Sequence, residues 1–481
     1  MEYQEFLKKN KDDMIFALQK VVRCSSEEGE PFVAPDGQTY PFGQGVQDAL
    51  ETVLAMGREM GFVVKNVDNY GGHIDFPGSG DKIMGILGHL DVVPAGDGWQ
   101  HEPYGGEIEE GRLYGRGTSD DKGPVIACLF AMKALKEAGY QPKATIRLIL
   151  GLDEETHWKG MEYYFARERK PDWGFTPDAD FPLINGEKGM LVFDLAKKFA
   201  RTSGEGLVLR SLSGGIAPNS VPDSCRAVLN ASGPQQGEIY EEIRAKAAAY
   251  KEESGHALKI RGMGKSLELI SAGKASHGAK PEDGLNAISV MMAFLGRLSF
   301  VNEDVNDFIS FYNRHLGFSL NGEDAGIGFC DEKSGRLVLN VGMAEIGPEA
   351  GKLVINIRYP VSNVAEDIYA GLKPVLDRYE IGLIKREEKP TVYIDVNDPL
   401  VQTLLSIYRE HSGDYESQPQ VIGGGTYAKA APHIIAYGGM FPGDEDRMHQ
   451  RDEYIDLKRY EQMAAIYADA IYKLSAEEYE V

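Results

Sequence analysis

The sequence predicts an α/β fold with more than one domain, and three observations support this prediction. The chain has 481 residues, more than one ordinary hydrophobic core accommodates. Short apolar runs at 82–91 and 144–150 are typical of buried strands, and a helical run at 125–138 lies between them. After residue 189, β-rich stretches and helical segments alternate in two rounds, which predicts an α+β insert.

Polar side chains stand at the ends of the first predicted strands. His89 and Asp91 end one apolar run, and Glu154 and Glu155 follow the other. In an open α/β sheet ligands collect beyond the carboxyl ends of strands, so these side chains are expected along one crevice. Neighbouring residues of an extended segment point to opposite sides, so one glutamate can hold a metal ion while the other faces the reacting centre. A solvated edge is the alternative interpretation of the glutamate pair.

Two consecutive aspartates stand where a glycine-rich turn enters the predicted helix. Asp120 and Asp121 precede Pro124, and proline suits the first turn of a helix. The helix dipole and the free amides favour negative charge at this position, so capping is one interpretation. A single cap needs only one aspartate, which leaves the other available for a different role.

Asp178 and His449 complete the set of candidates. Asp178 follows a proline, and His449 follows an acidic, glycine-rich loop. Taken alone, Asp178 is explained as a turn residue and His449 as a surface residue. Together with the side chains above they provide two histidines, several carboxylates and one spare glutamate, which fits two divalent ions.

The candidates can supply three protein ligands to each ion. If Asp120 bridges, one ion takes His89 and Asp178. The other ion takes Glu155 and His449, and each keeps an open position for water. Mixed imidazole and carboxylate ligands suit zinc, manganese or cobalt. We therefore expect two divalent ions per chain, with zinc first and manganese or cobalt as alternatives.

The chain resembles the dinuclear metallopeptidases that include aminoacylases, carnosinases, desuccinylases and glutamate carboxypeptidases. Within this family it is most similar to the bacterial dipeptidases of the peptidase V type. The matching motifs follow the family's order along nearly the whole chain. They are GHLDVVP at 88–94, GRGTSDDKG at 115–123, Asp153-Glu154-Glu155, Asp178, SHGAKP at 276–281, GGGTY at 423–427 and Met448-His449.

The resemblance implies a role for each motif residue in this part of the chain. Glu154 would be the general base, which takes a proton from a water bridging the two ions and passes it to the leaving amine. Asp91 would orient the imidazole of His89. The family also often has a cis peptide after the bridging aspartate, here Asp120–Asp121. The implied metal ligands are His89, Asp120, Glu155, Asp178 and His449, with Asp120 bridging.

The resemblance further implies a lid. Most of the family carries one small βα lid that dimerises, whereas peptidase V-type enzymes carry a doubled lid within one chain. The insert here is long enough for the doubled form, so we expect a monomer. The catalytic domain, a central mixed sheet flanked by helices, would be discontinuous at 1–188 and 387–481, around an α+β lid of two related βα halves at 189–386. His277 of the lid would stabilise the oxyanion when the domains close.

Substrate contacts are also carried over from the resemblance. Arg358 matches a position that grips the substrate's terminal carboxylate, for which its planar fork is suited. Asn219 matches a lid residue that contacts substrate. Gly424, Gly425 and Thr426 belong to a loop whose free amides can face an anion. A phosphate loop is the competing interpretation, but the lysine that follows its glycines is absent.

These features predict a hydrolase, namely a metal-dependent dipeptidase acting on dipeptides with a free N-terminus. An aspartate at position 178 favours a free-amine substrate, because the family's deacylases and carboxypeptidases tend to have glutamate there. The alternative is a deacylase or amidohydrolase of N-acyl amino acids that uses the same machinery. A binding protein that kept the fold without catalysis is the third possibility, and the complete set of ligands and base argues against it.

Composition excludes several partners. A net charge of −23 argues against nucleic acid and against an anionic membrane surface. The sequence lacks an apolar stretch of about 18 residues, and residues 1–24 are typical of a charged amphipathic helix rather than a signal peptide. We expect a cytoplasmic protein whose partner is a small peptide substrate. The four widely spaced cysteines are expected to be reduced.

Overall fold

The computed structural model describes residues 2–35, 37–201 and 204–476. Its α-helices in chain order are α1 Glu2–Lys9, α2 Lys11–Val22, α3 Gln44–Glu59, α4 Lys122–Glu137, α5 Lys159–Phe165, α6 Gln236–Ser254, α7 Ala287–Leu295, α8 Glu303–Phe311, α9 Ala365–Tyr379, α10 Pro399–Ser412 and α11 Leu457–Ala476. Its β-strands are β1 Phe32–Val33, β2 Thr39–Tyr40, β3 Val63–Asn66, β4 Gly72–Phe76, β5 Ile83–His89, β6 Glu107–Glu109, β7 Arg112–Tyr114, β8 Thr145–Gly151, β9 Trp173–Thr176, β10 Ile184–Glu187, β11 Gly189–Lys198, β12 Leu207–Gly214, β13 Ser224–Ala231, β14 Leu258–Met263, β15 Ser266–Ala272, β16 Cys330–Asp331, β17 Gly335–Arg336, β18 Val338–Ile346, β19 Ala350–Tyr359, β20 Gly382–Lys389, β21 Val392–Tyr393, β22 Gln420–Ile422, β23 Ile434–Ala436 and β24 Tyr454–Asp456.

The chain forms two compact units. The first unit comprises Met1–Gly186, Tyr393–Val421 and Gly425–Val481, and the second comprises Glu187–Val392 and Ile422–Gly424. Gly424 therefore belongs to the second unit, whereas the neighbouring Gly425 and Thr426 belong to the first. The catalytic and lid roles expected for the two parts of the chain stay predictions.

A mixed sheet forms the centre of the first unit. Its strand order is β21-β10-β23-β9-β5-β8-β4-β3, with β22 beside β10. The middle strands β9, β5 and β8 are parallel, and β4 and β3 are added antiparallel at one side. Every residue of β5 is buried, as is typical of a parallel strand covered on both faces. The carboxyl ends of three parallel neighbours therefore lie side by side.

Helix α4 is buried along most of its length and packs against α1, α2 and α11. It begins at Lys122, three residues before the predicted start. The expected single helix at the N-terminus is in fact two helices, α1 and α2, separated at Asn10. The side chain of Asn10 donates a hydrogen bond to Glu137 Oε2 at 2.7 Å, which ties this break to the end of α4. None of the helices in the described residues combines the length and apolar character needed to cross a membrane.

A small antiparallel sheet, β24-β7-β6, joins two distant parts of the first unit. Tyr454 pairs with Tyr114, and Ile455 pairs with Leu113. Strand β7 leads directly into the segment that carries Asp120, and β24 follows the segment that carries His449. The sheet therefore fixes one end of both segments.

The second unit is built on one antiparallel sheet, with strand order β14-β15-β13-β12-β18-β19-β11-β20. One face of this sheet packs on the helices, as shown by the alternate core residues Leu191, Phe193 and Leu195 of β11. Each half contains an antiparallel pair, then a helix, then an edge strand: β12, β13, α6 and β14 in one half, and β18, β19, α9 and β20 in the other. The predicted fold class, a mixed-sheet α/β domain with an α+β insert, is confirmed.

Candidate metal centre

Neighbouring strands bring most of the predicted ligands to one edge of the central sheet. Strand β5 ends at His89, β8 leads to Glu154 and Glu155, and β9 leads to Asp178. Ligand atoms of His89, Glu154 and Asp178 all lie within 4.8 Å of one another. The same holds for His89, Asp120 and Glu155. His89 is common to both groups, so these five residues form one cluster within the first unit.

Asp120 faces a different histidine with each of its carboxylate oxygens. Its Oδ1 lies 3.0 Å from His89 Nε2, and its Oδ2 lies 2.9 Å from His449 Nε2. The second histidine nitrogen is also 2.8 Å from Glu155 Oε1. On the other side, Asp178 Oδ2 is 3.8 Å from His89 Nε2. An aspartate with one oxygen towards each histidine fits the expected place of a carboxylate between two ions.

The orientation of His89 is set by main-chain and side-chain groups of Asp91. The Nδ1 atom lies 2.9 Å from the Asp91 carbonyl oxygen and 3.4 Å from the carboxylate Oδ1. A carbonyl oxygen only accepts hydrogen bonds, so Nδ1 donates and Nε2 is the atom available to a cation. The Asp91 carboxylate also accepts the amide of Glu155 at 3.0 Å. Asp91 therefore orients two candidate ligands rather than one.

The electrostatics of the cluster indicate a need for positive charge. Burial, assisted by Asp120, raises the pKa of Asp178 to about 8. Burial and the neighbouring Asp178 raise the pKa of Glu154 well above its usual range, and burial and Asp120 raise that of Glu155. Burial alone would lower the pKa of His449, but its hydrogen bonds to Asp120 and Glu155 raise it to about 11. Cations among these carboxylates would relieve their repulsion, so the donor set fits divalent ions.

The second aspartate of the pair has a separate function. Asp121 does not cap α4 with its side chain. Its Oδ2 instead accepts the amide of His89 at 3.2 Å, and burial raises its pKa well above the usual range. The peptide bond Asp120–Asp121 is cis. The capping interpretation of this pair is therefore wrong, because the side chain turns towards the end of β5.

Two aromatic residues that had no predicted role in the site lie behind the cluster. Trp158 Nε1 donates to the main-chain carbonyl of Glu154 at 2.7 Å. The ring of Tyr427 is edge-on to both Trp158 and His89, with centroid distances of 5.1 and 6.4 Å. The sequence signal was the bulky His157-Trp158 pair after the glutamates, but its partner in the fold lies far along the chain.

A buried ion pair also lacked a predicted role. Arg116 Nη1 donates to Glu453 Oε2 at 2.6 Å. The only sequence signals were the position of Arg116 inside the 115–123 motif and that of Glu453 four residues after His449. Neither signal names a partner, because the two residues are more than 300 positions apart.

The second unit contains three further predicted site residues. Asn219 and His277 belong to adjoining segments, since the Asn219 carbonyl accepts the Gly278 amide at 2.7 Å and Ser220 forms a β-bridge with His277. Arg358 lies on β19 and is only 6% exposed. Burial lowers its pKa to about 10, and its Nε has no hydrogen-bond partner among the described residues.

The predicted anion loop consists of Gly424, which belongs to the second unit, and Gly425 and Thr426, which belong to the first. Thr426 is buried, and its Oγ1 accepts the amide of Ala428 at 3.1 Å. This contact caps the short turn Tyr427–Lys429. Thr426 thus has a structural role, and its contact with substrate stays a prediction.

Known proteins are similar to this chain in sequence or in fold. Residues 85–473 match the model of "Peptidase family M20/M25/M40". The Beta-Ala-Xaa dipeptidase of Lactobacillus delbrueckii subsp. lactis is 35% identical over 490 residues, which covers 99% of each chain. Among solved structures, the M20 family metallo-carboxypeptidase Sso-CP2 from Sulfolobus solfataricus has a TM-score of 0.57 at 15% identity and covers 97% of this chain and 99% of its own. Human carnosine dipeptidase 1 has a TM-score of 0.53 at 15% identity and covers 98% and 99%. The predicted resemblance is confirmed, and the chain belongs to the metallopeptidases of family M20/M25/M40.

Proposed function

We propose that the protein is a dipeptidase that hydrolyses the peptide bond of dipeptides with a free N-terminus at a centre of two divalent ions. The observation that carries this proposal is Asp120, whose two oxygens face His89 and His449. Glu155 beside one histidine and Asp178 beside the other provide the remaining ligands. The relative named Beta-Ala-Xaa dipeptidase supports a dipeptide as the substrate class.

Each ion would have three protein ligands. Asp120, His89 and Asp178 would hold one ion, and Asp120, His449 and Glu155 would hold the other. When bound, the ions polarise the scissile carbonyl and make a neighbouring water more acidic. We expect zinc first, with manganese or cobalt as alternatives, because imidazole and carboxylate ligands accept all three.

Glu154 is proposed as the general base. Its carboxylate lies in the same cluster as His89 and Asp178, and the Trp158 indole holds its main chain. A carboxylate at this position accepts a proton from the attacking water and returns it to the leaving amine. The Asp91 carboxylate accepts the main-chain amide of Glu155. This bond helps to fix the backbone between the base Glu154 and the ligand Glu155, whose side chains point in different directions.

We carry Arg358, Asn219 and His277 forward as the second unit's contribution to substrate binding. A buried guanidinium is costly unless its donors are satisfied, so an anion is expected to complete the surroundings of Arg358. The terminal carboxylate of a dipeptide matches its planar fork. Asn219 and His277 would contact the substrate together, and His277 would donate to the oxyanion. Gly424, Gly425 and Thr426, the monomeric state and the cytoplasmic location also stay predictions.

A substrate panel tests the proposal. Dipeptides, including β-Ala-Xaa, and N-acetyl and N-succinyl amino acids would each be assayed with zinc, manganese and cobalt after chelation. We expect kcat/KM for free-amine dipeptides to exceed that for acylated amino acids by about a hundredfold or more, since a site that binds a polar group rejects substrates lacking it. Turnover of acylated amino acids alone would instead identify a deacylase. Metal binding without turnover of either class would indicate a binding protein.

Replacing His277 by alanine tests the oxyanion role. We expect kcat to fall by roughly a hundredfold to a thousandfold with a smaller change in KM, because the imidazole would act mainly on the transition state. Steady-state kinetics on a dipeptide measure both constants. His256→Ala, at another histidine of the second unit, is the matched control and should leave them unchanged. An unchanged kcat in His277→Ala would remove His277 from the mechanism.

A further inference from the structure

A buried ion pair lies between the segments that carry the candidate metal ligands. Arg116 and Glu453 are 2.6 Å apart, and their side chains are 2% and 1% exposed. Such pairs seldom add net stability, because the loss of hydration offsets the attraction between the charges. Where they are retained, they can specify one arrangement of the chain. The contacts of this pair indicate which arrangement is specified.

Glu453 holds the main chain at Asp120. Its Oε1 accepts the amide of Ser119 at 2.9 Å and the amide of Asp120 at 3.3 Å. The Glu453 carbonyl also accepts the amide of Gly115, and Ser119 Oγ donates to the carbonyl of Tyr454. One carboxylate therefore sets the position of the residue proposed to bridge the ions.

Arg116 reaches two other ligand-bearing segments with the same guanidinium group. Nη1 donates to the carbonyl of Gln450, the residue after His449, at 3.2 Å. Nη2 reaches the carbonyl of Pro94, in the segment that starts at His89, at 3.5 Å. A planar, multiply donating guanidinium can make these contacts at once, whereas a lysine ammonium lacks the fork.

The segment that carries His449 has a backbone that needs external support. His449 and Asp452 adopt left-handed φ values of 61° and 55°. Residues other than glycine seldom adopt this region, although aspartate and histidine do so more readily than most, and surrounding contacts stabilise them there. The His449 side chain is half exposed, so packing supports it little. Arg116 contacts Gln450, directly after His449, and Glu453 directly follows the left-handed Asp452. The pair therefore holds the chain on both sides of Asp452.

We propose that Arg116 and Glu453 are positioning residues of the metal centre. They set the separation between Asp120 and His449, and hence the site of the ion that these residues share with Glu155. The other ion, which would lie between His89 and Asp178, should depend on the pair less. Among the described residues, the pair reaches the ligands of that ion through the 3.5 Å bond to Pro94 and through Asp120. This inference rests on the proposed two-ion centre.

Cobalt titration of the metal-free full chain tests the inference. The proteins are wild type, Arg116→Gln, Arg116→Lys and the control Asp75→Asn, which breaks another ion pair of the first unit. That pair joins Arg147 to Asp75 at 2.8 and 2.9 Å, with both side chains 12% exposed. Cobalt absorption gives the stoichiometry and affinity of each ion, thermal unfolding gives stability, and dipeptide hydrolysis gives kcat and KM.

The second ion is the one held by Asp120, His449 and Glu155. We expect Arg116→Gln to bind cobalt at this site at least ~10-fold more weakly than wild type, as is typical when a group that orients a ligand is lost. Its kcat should fall at limiting cobalt and recover with excess cobalt, while KM stays near that of wild type. Arg116→Lys should recover part of the affinity, because it restores the charge. Asp75→Asn should unfold at a lower temperature yet bind both ions as wild type does.

Different results would count against the positioning role and against the proposed two-ion function on which it rests. If Arg116→Gln binds each ion with the same affinity as wild type, and only its stability is lowered as in the control, the positioning role is overturned. Wild type that binds no second ion would contradict the proposed two-ion function itself. If Arg116→Gln does not fold, Glu453→Asp replaces it, since it keeps the charge and shortens the reach by one methylene. Undiminished second-ion affinity in Glu453→Asp would likewise overturn the role.

Discussion

Replacing Glu154 by glutamine is expected to leave both ions bound while turnover falls by roughly a hundredfold to ten thousandfold, the usual contribution of a general base. Glutamine keeps the shape of the side chain but cannot accept the proton of the attacking water. Metal content by elemental analysis and kcat on a dipeptide, measured on the same preparation, test both parts. The KM is expected to change little, since the base acts in the transition state.

The matched variant changes the neighbouring glutamate. Glu155→Ala removes a carboxylate that lies 2.8 Å from His449 Nε2, so we expect loss of the ion held there. The comparison is needed because Glu154 also lies within ligand distance of His89 and Asp178. Equal loss of metal in both variants would show that the roles of the two glutamates are assigned wrongly.

Removing divalent ions with a chelator is expected to abolish dipeptide hydrolysis, and adding them back is expected to restore it. Without cations the carboxylates of the cluster repel one another, and the attacking water keeps its ordinary high pKa. Binding should also stabilise the fold, by about 2.7 kcal/mol per site at an ion concentration of 100 times Kd. Activity assays and thermal unfolding of the metal-free and reloaded protein measure the two effects.

The same titration has a predicted pH dependence. In the metal-free protein the pKa of Asp178 is raised to about 8, so this carboxyl holds a proton at neutral pH. A cation must displace that proton, because a ligand carboxylate binds in its ionised form. Apparent metal affinity should therefore rise with pH through the pKa of Asp178 near 8 and further towards about 11, where His449 also gives up its proton, and it should fall as pH decreases. In the chelation experiment itself, full dipeptidase activity with no ion detected would contradict the proposed two-ion mechanism.

Local patterns in the sequence predicted much of the fold. The apolar runs at 82–91 and 144–150 appear as β5 and β8, and the pattern at 125–138 appears as α4 with an earlier start. These elements were predictable because burial on both faces demands continuous apolar side chains. The N-terminal helix was predicted as one element and is two. At the break the Asn10 side chain bonds to Glu137 on a distant helix, a contact that the local pattern does not contain.

The candidate site was predicted in its residue types more than in its contacts. The motifs named His89, Asp120, Glu155, Asp178 and His449, and the structure places these side chains together. The second aspartate was open to a capping role, but Asp121 accepts the amide of His89 instead. That contact depends on how the turn before α4 packs against the end of β5, which spacing along the chain does not specify.

The sequence by itself determined which chemistry the protein can perform, because imidazole and carboxylate groups are properties of single residues and their order follows the family. Only the tertiary structure decided how those groups meet: which oxygen of Asp120 faces which histidine, and which distant pair, Arg116 and Glu453, holds the segments in place. The physical reason is that hydrogen bonds and ion pairs act over about 3 Å in space, whatever the separation along the chain. Contacts of that range are set by packing of the whole unit.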